Sequence, residues 1–190
     1  LPCGPARIIE LNRPAQLNAL NQEMVTEITE ALSIYVKTPV SAVVITGSRT
    51  PKPIFCAGGD VVTLAKAKQE GKTTDQVSGF FRQEYTLNHL IGTFPKPIIS
   101  FMDGVTSTVL IFCFTNHLPL TNSKHLVGGG MGISVHGTFR VCTENTLFAM
   151  PETAIGFFPD VGATFMLPRL ERRIGFYLGI TGARLKGMDV

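Results

Sequence analysis

Short apolar runs alternate with helical patterns along the chain, and this alternation constrains the fold more than any other feature of the sequence. Three β-branched runs, 6–11, 41–46 and 97–101, predict strands, and their continuous apolar character is typical of strands covered on both faces. Between them the spacing predicts one helix that begins after the N-cap Asn21 and a longer one over 74–91. Strands that alternate with helices in this way predict an α/β domain.

Two more segments have helical spacing. The pattern predicts a helix over 61–69, followed by a polar loop, and a further helical segment over 161–185 that is interrupted at Pro168. No stretch approaches the roughly 18 apolar residues of a membrane-spanning helix. The sequence therefore predicts no association with a membrane.

The composition restricts the classes of partner. Of the 190 residues, 44% are hydrophobic and 16% are charged, which suits one globular domain. The net charge is only +3 and the basic residues form no cluster, so we expect no nucleic-acid binding. The four cysteines lack the spacing of a metal site, which predicts a reducing compartment and no metal. Cys56 could act as a nucleophile, but we prefer a small buried thiol, since no histidine partner is evident.

Two glycine-rich segments are the first candidates for chemistry. FCAGGD, residues 55–60, follows a predicted strand and opens a helix, and GGGMG, residues 128–132, also leads into a helical pattern. Glycine lets the backbone approach a ligand closely, and the first N–H groups of a helix have no partner within it. Two such groups that point at one oxygen would form an oxyanion hole. Phosphate binding and tight packing are the alternatives, although neither segment matches a Walker or GxGxxG pattern.

Two carboxylates lie in an apolar segment that contains several prolines and glycines. Glu152 and Asp160 belong to FAMPETAIGFFPDVG, residues 148–162. Apolar surroundings raise the pKa of a carboxyl group and so make acid–base catalysis feasible near neutral pH. The alternative for Asp160 is that it caps a helix beginning at Val161, whereas Glu152 has no comparable local function.

Several motifs in a fixed order then give the sequence a family resemblance. LNRP (11–14) and LNAL (17–20) resemble the opening strand and loop of crotonase-fold enzymes, and FCAGGD and GGGMG are similar to their two oxyanion segments. Within that superfamily, RQEY (82–85), VHG (135–137) and PETAIGFFPDVGA (151–163) are most similar to the 3-hydroxyisobutyryl-CoA hydrolases. The resemblance extends over nearly the whole chain.

The resemblance implies a crotonase-like spiral of ββα units that binds an acyl-CoA thioester. The implied reaction is hydrolysis of 3-hydroxyisobutyryl-CoA to 3-hydroxyisobutyrate and CoA, a step of valine catabolism. By resemblance, Gly59 and Gly129 would be the oxyanion donors. Glu152 would attack the carbonyl or activate water, and Asp160 would bind the hydroxyacyl group or transfer protons. The implied substrate-binding residues are Glu84, Gly58, Asp60, Asn18 and Ala19. No cofactor is implied, because coenzyme A is part of the substrate.

The sequence departs from the family pattern in three places. Residues 107–127 separate the strand that ends in MDGVT from the triple glycine, match nothing in the family and resemble translated non-coding sequence. We expect residues 1–190 to form an incomplete crotonase-like domain that lacks the family's C-terminal part. Ala15 stands where relatives carry a basic residue near coenzyme A, although Arg13 remains.

Two other functions stay open at this point. An enoyl-CoA hydratase or isomerase of the same fold is one, although a hydratase would need a second glutamate soon after the triple glycine, where Met131, Gly132 and Ile133 stand. An inactive structural or CoA-binding protein is the other, and CoA affinity without turnover would identify it. The resemblance suggests a mitochondrial location, with a peroxisomal one as the alternative, and is compatible with a homo-oligomer.

Overall fold

The structure, a computed structural model, describes residues 2–49, 52–60, 63, 69–71, 73–107 and 129–190. Within these residues the strands are β1 (Pro2–Cys3), β2 (Ala6–Leu11), β3 (Ala42–Gly47), β4 (Ile54–Cys56), β5 (Ile98–Met102), β6 (Val105–Ser107), β7 (Phe139–Cys142), β8 (Leu147–Ala149) and β9 (Arg184–Lys186). The helices are α1 (Gln22–Val36), α2 (Thr74–Gly92), α3 (Gly129–Gly132), α4 (Ala163–Met166) and α5 (Ile174–Thr181). Short 3₁₀ turns cover Pro14–Gln16, Glu152–Ile155, Leu167–Arg169, Glu171–Arg173 and Gly187–Asp189.

The strands form two sheets. The larger sheet has the order β1-β2-β3-β5-β7, and all of its strands after β1 are parallel to one another. The smaller sheet has the order β4-β6-β8-β9, in which β4, β6 and β8 are parallel and β9 is antiparallel. Parallel neighbours need crossover connections, and the helices provide several of these.

Helix α1 shows how local sequence and packing agree. The Asn21 side chain accepts a hydrogen bond from the backbone N–H of Met24 at 3.0 Å, as the predicted N-cap. At the other end, the Lys96 ammonium donates to the carbonyl oxygens of Tyr35 and Thr38, each at 2.5 Å, which satisfies backbone groups that a helix end leaves open. The helix buries Val25, Ile28 and Leu32 in the main core beside the larger sheet.

A second, smaller core lies beside the smaller sheet. Its buried members are Met131, Phe148, Met150, Val161, Ala163, Leu167 and Leu178. Because these residues come from α3, β8, the segment after β8, α4 and α5, this core joins the triple-glycine region to the C-terminal segment of the chain.

The structure confirms most of the predicted elements. The first strand has the predicted bounds, the next two are each shifted by one residue, and the long helix spans Thr74–Gly92 against the predicted 74–91. The prediction for 161–185 was wrong in part, because this segment is divided among α4, 3₁₀ turns, α5 and strand β9. Gly182 ends α5 in the left-handed conformation, and β9 then pairs with β8, Leu185 opposite Phe148.

Two predicted segments lie mostly outside the described residues. Of 61–69, only Thr63 and Gln69 are described, and both are helical. Of 107–127, only Ser107 is described, as the last residue of β6. Among the described helices none is long and apolar enough to cross a membrane.

Candidate functional site

The candidate site is built at one edge of the smaller sheet. Strands β4, β6 and β8 are adjacent and parallel, so their carboxyl ends lie at the same edge. Gly58 and Gly59 follow β4, and Glu152 follows β8 three residues after its end. Helix α3, which begins at Gly129, contacts both β4 and β6. This arrangement brings the two glycine-rich segments and Glu152 to the same edge.

Gly59 is held by a single-residue parallel bridge to Leu20. The Leu20 N–H donates to the Gly58 carbonyl at 2.6 Å, and the Asp60 N–H donates to the Leu20 carbonyl at 2.8 Å. In a bridge of this kind both bonds belong to Leu20, so the N–H and C=O of Gly59 itself point away from that segment. The Gly59 N–H is therefore directed to the opposite side, as an oxyanion donor would be.

The loop that carries Asn18 and Ala19 supports this glycine segment. The buried Asn18 amide donates to the carbonyl oxygens of Ile54 at 2.7 Å and Phe55 at 3.3 Å, and its oxygen accepts from the Arg13 N–H at 2.7 Å. The Ala19 carbonyl accepts a bond from the Arg13 guanidinium at 3.0 Å. The structure thus gives both residues a positioning function, while their predicted contact with substrate stays a prediction.

Asp60 forms an ion pair next to the same glycines. Its carboxylate lies 2.8 Å from the Arg13 guanidinium and accepts a bond from the Thr63 N–H at 3.1 Å. Burial alone would raise the pKa of Asp60, but the Thr63 bond and the Arg13 charge outweigh it and lower that pKa. Arg13, the cation considered above for coenzyme A, is thus already engaged by the protein.

Glu84 faces Gly59 from helix α2. Its side chain is 2% exposed, and a Cβ built on Gly59 would lie 3.7 Å from Glu84 Oε2. The other oxygen, Oε1, is buried with no hydrogen-bond partner among the described residues. Burial, reinforced by the nearby charge of Asp160, raises the pKa of Glu84 to about 8. Most molecules therefore carry a protonated Glu84 at neutral pH.

Asp160 is tied to the same helix through Tyr85. The Tyr85 hydroxyl donates to Asp160 Oδ2 at 2.8 Å. Burial raises the pKa of Asp160, and the Tyr85 hydrogen bond opposes that rise only partly. Burial and the Asp160 charge also raise the pKa of Tyr85. The capping alternative for Asp160 was wrong: α4 begins after Gly162, and no side chain caps it.

Glu152 is the most deeply buried carboxyl group of the site. Its side chain is 0% exposed, and it begins the 3₁₀ turn Glu152–Ile155. The turn is closed by Gly156 in the left-handed conformation, whose N–H donates back to the turn, and the Phe157 N–H donates to the Glu152 carbonyl at 3.0 Å. These bonds fix the backbone that follows this carboxyl group, and a reacting group requires such fixed geometry.

His136 holds the loop that follows Asp160. Its Nε2 lies 2.7 Å from the Val161 carbonyl oxygen, and Gly162 packs so closely on the ring that a Cβ there would lie 2.5 Å from Cε1. Gly162 has a φ of +82°, a conformation that favours glycine. The histidine therefore fixes the position of the Asp160 segment.

Cys56 fits the buried-thiol interpretation. The thiol is fully buried, and burial raises its pKa to about 12, so almost no thiolate forms near neutral pH. The structure thus argues against a nucleophilic role. Within the described ranges no group of three or more potential ligands could hold a metal ion.

Two polar side chains were missed by the sequence interpretation. Asn88, one helical turn after Glu84, is 5% exposed, and Thr106 of β6 is fully buried. Both amide atoms of Asn88 and the Thr106 hydroxyl have no hydrogen-bond partner among the described residues. Such groups cost about 1–3 kcal/mol each. The spacing of four residues from Glu84 was a usable signal for Asn88, whereas nothing in the sequence distinguishes Thr106.

Comparison with known proteins identifies relatives over most of the chain. The family model described as enoyl-CoA hydratase/isomerase matches residues 6–107 and 125–190. A Xenopus tropicalis protein named mitochondrial 3-hydroxyisobutyryl-CoA hydrolase is 47% identical over 188 residues, covering 98% of this chain and 43% of that protein. The Neurospora crassa small ribosomal subunit protein mS47 is 45% identical over 185 residues, covering 97% of this chain and 32% of that protein.

A solved structure confirms the predicted fold class. The enoyl-CoA hydratase from Rhodobacter sphaeroides 2.4.1 superposes with a TM-score of 0.77 at 40% identity, covering 96% of this chain and 48% of that one. The chain therefore has the predicted α/β fold of crotonase type, and it spans less than half of the length of the curated relatives reported above.

Proposed function

Because the chain belongs to the enoyl-CoA hydratase/isomerase family, we propose that it hydrolyses 3-hydroxyisobutyryl-CoA to 3-hydroxyisobutyrate and CoA. The observation that carries this proposal is the fully buried Glu152, at the sheet edge where Gly59 presents its N–H. The name of the Xenopus tropicalis relative supports the choice of reaction. The substrate supplies coenzyme A, so the proposal includes no separate cofactor.

In the proposed mechanism, the thioester carbonyl oxygen accepts bonds from the N–H groups of Gly59 and Gly129. Negative charge develops on that oxygen, and each donor is worth about 3 kcal/mol in comparable oxyanion holes. Glu152 either attacks the carbonyl carbon or removes a proton from the attacking water. In both routes the carbon–sulfur bond breaks, an oxygen from water ends on the acyl carbon, and a proton goes to the departing thiolate.

Glu84 and Asp160 supply the second part of the proposed site. Glu84 is protonated at neutral pH because its pKa is raised to about 8, so it can donate a hydrogen bond to a substrate hydroxyl. Burial also raises the pKa of Asp160, and its carboxylate is held by the Tyr85 hydroxyl, so we assign it the binding of the hydroxyacyl group or the transfer of protons. The nearby Asp160 charge also helps to keep Glu84 protonated.

The hydratase alternative is less well supported by the described residues. Addition of water to a double bond needs a second acid near the triple glycine, and the positions there are Met131, Gly132 and Ile133. Met131 and Ile133 are both fully buried in apolar clusters. The Rhodobacter sphaeroides hydratase supports the fold and the family.

The second candidate function is that of a non-catalytic subunit of a larger assembly. The Neurospora crassa relative, a small ribosomal subunit protein, favours this candidate, since it matches almost the whole chain. The buried carboxyl groups favour hydrolysis instead, because burying an ionisable group is costly and such groups concentrate at catalytic sites. We also propose a mitochondrial location, which the name of the Xenopus tropicalis relative supports. The proposal includes self-association into a homo-oligomer.

Release of free thiol from 3-hydroxyisobutyryl-CoA tests the proposed function. We expect Glu152→Gln to lower kcat at least about a hundredfold, because an amide neither attacks the carbonyl nor activates water. The matched control is Glu144→Gln, an exposed glutamate outside the site, which should keep full activity. Equal release from the wild type and Glu152→Gln would contradict the role of Glu152.

A chain that binds the thioester but releases no thiol would support the non-catalytic candidate. Deletion of residues 108–124, which the family model does not match, then separates two causes of inactivity. Thiol release that appears only in the deletion variant would show that this segment disables an otherwise competent site.

A further inference from the structure

Asn88 is a buried amide whose hydrogen-bonding groups are not used by the rest of the described protein. It lies on α2, four residues after Glu84, and is 5% exposed. Neither Oδ1 nor Nδ2 has a hydrogen-bond partner among the described residues. On one side the amide rests against α3, where a Cβ on Gly132 would lie 2.6 Å from Nδ2.

Packing alone does not explain an amide at this position. A leucine has a similar volume, and it would fill the space between α2 and α3 without burying polar atoms. The absence of a side chain at Gly132 allows the amide to approach the backbone of α3 closely. Buried amides that serve a structural role satisfy their bonds within the protein, as Asn18 does.

Glu84 presents the same kind of unused group one turn away. Residues four apart on a helix share one face, so the Asn88 amide and the Glu84 carboxyl group are neighbours. Glu84 Oε1 is also buried without a partner among the described residues, and its Oε2 lies close to Gly59. The two side chains together offer donors and acceptors to one small polar group that the bound substrate brings.

We propose that Asn88 binds the hydroxyl group of the substrate's acyl part together with Glu84, and so selects hydroxylated acyl-CoA thioesters. A hydroxyl can donate to Asn88 Oδ1 and accept from the acid proton of Glu84, or accept from Asn88 Nδ2 and donate to Glu84. Either arrangement satisfies groups that have no hydrogen-bond partner in the part of the chain that the structure describes. The inference rests on the proposed acyl-CoA function, and it adds a specificity-determining residue to that site.

Equilibrium binding tests the proposal without requiring turnover. Isobutyryl-CoA differs from 3-hydroxyisobutyryl-CoA only in the hydroxyl group, so the ratio of their dissociation constants measures hydroxyl recognition. Both ligands are titrated into the 190-residue chain that carries Glu152→Gln, which prevents hydrolysis during the measurement. We expect the hydroxylated ligand to bind at least about tenfold more tightly. In Asn88→Leu, the ratio of the two dissociation constants should be about tenfold smaller.

The controls distinguish recognition from structural damage. Thr86→Val changes an exposed residue of the same helix and should leave the ratio unchanged. Asn88→Ala is the second variant, in case leucine disturbs the contact with Gly132, and it should reduce the ratio in the same way. The melting temperature of Asn88→Leu should stay the same or rise, because a structural amide with partners would lower it when replaced.

An unchanged ratio in folded Asn88→Leu and Asn88→Ala would overturn the proposal, since the amide would then face only water or packing. Equal weakening of both ligands, with a lower melting temperature, would also overturn it in favour of a structural role. Failure of the starting chain to bind either thioester would overturn this inference and the proposed function together. If the wild-type chain releases no thiol but the ratio depends on Asn88, the hydrolase proposal alone fails.

Discussion

Two buried asparagines show how differently the protein treats polar groups in its two glycine-bearing regions. Asn18, in the loop beside β4, is 0% exposed and bonds to the backbone of Arg13, Ile54 and Phe55. Asn88, between α2 and α3, is nearly as buried and has no hydrogen-bond partner among the described residues. Asn18 thus behaves as part of the scaffold, whereas Asn88 behaves as a residue prepared for a ligand.

Replacement of Asn18 should give the largest effect. Asn18→Leu removes the hydrogen bonds to the Arg13 N–H and to two buried carbonyl oxygens, so we expect the free energy of unfolding to fall by about 4 kcal/mol. Urea denaturation measures this change. Asn18→Asp keeps the acceptor for the Arg13 N–H and removes only the donors, so its loss should be intermediate. A loss below about 1 kcal/mol in Asn18→Leu would contradict the scaffold role.

The ionisation of Glu84 should give the next largest effect. Its folded-state pKa of about 8 lies above the ordinary glutamate pKa of 4.5, so the folded protein holds this proton more tightly than the unfolded chain. Stability from this group is therefore fully present below the unfolded pKa and is lost as the pH rises towards 8. We expect the wild type to lose about 3 kcal/mol between about pH 5 and pH 8 through this residue.

The Glu84→Gln variant tests that pH dependence. It cannot ionise, so its free energy of unfolding should lack this decline, and it should exceed the wild-type value most clearly at about pH 8. If the free energies of unfolding of the two proteins changed with pH in parallel, the pKa of Glu84 would not be raised in the folded state. Glu144→Gln, an exposed residue, is the matched control and should follow the wild-type curve.

Replacement of Thr106 should have the smallest effect on the free energy of unfolding, and its sign should be opposite to that of replacing Asn18. Its hydroxyl is buried without a partner among the described residues, so Thr106→Val should raise the free energy of unfolding by about 1 kcal/mol. Thr146 is the matched control, because it is equally buried but its hydroxyl donates to the Met102 carbonyl. Thermal unfolding should show Thr106→Val above the wild type and Thr146→Val below it. A change of the same sign in the free energy of unfolding of both variants would contradict this difference between Thr106 and Thr146.

Much of the fold could be predicted because local signals and tertiary packing agree. The N-cap Asn21 and the apolar spacing of α1 predict the same helix that packing requires. The run at 6–11 forms the predicted strand, but its expected cover on both faces was wrong, because Glu10 is exposed and only Leu11 is buried. The C-terminal segment was harder to predict, since α5 is apolar on several faces and the short strand β9 depends on its pairing with β8. Pairing between distant residues leaves little trace in local sequence.

The candidate site could be predicted in part. The motifs indicated the glycines and the carboxyl groups, and topology explains why Gly59 and Glu152 occupy one sheet edge. The sequence could not show that Tyr85 holds Asp160 or that Glu84 faces Gly59, because both contacts depend on the position of α2 against the loop segments. It also could not show that the Asn88 amide has no hydrogen-bond partner within the described ranges, because that depends on how the interior packs.

The donor that the bridge between Leu20 and Gly59 orients is the Gly59 N–H, a group of the main chain and not of a side chain. An amide hydrogen belongs to every residue except proline, so most substitutions at position 59 would keep the donor and add a side chain 3.4 Å from the Phe80 ring. An alanine scan would therefore find an ordinary van der Waals contact at this position and miss the donor itself. Replacing the 58–59 amide by an ester through semisynthesis would remove that hydrogen and also weaken the Gly58 carbonyl as the acceptor of the Leu20 N–H. It would test a donor that no codon change other than one to proline can delete.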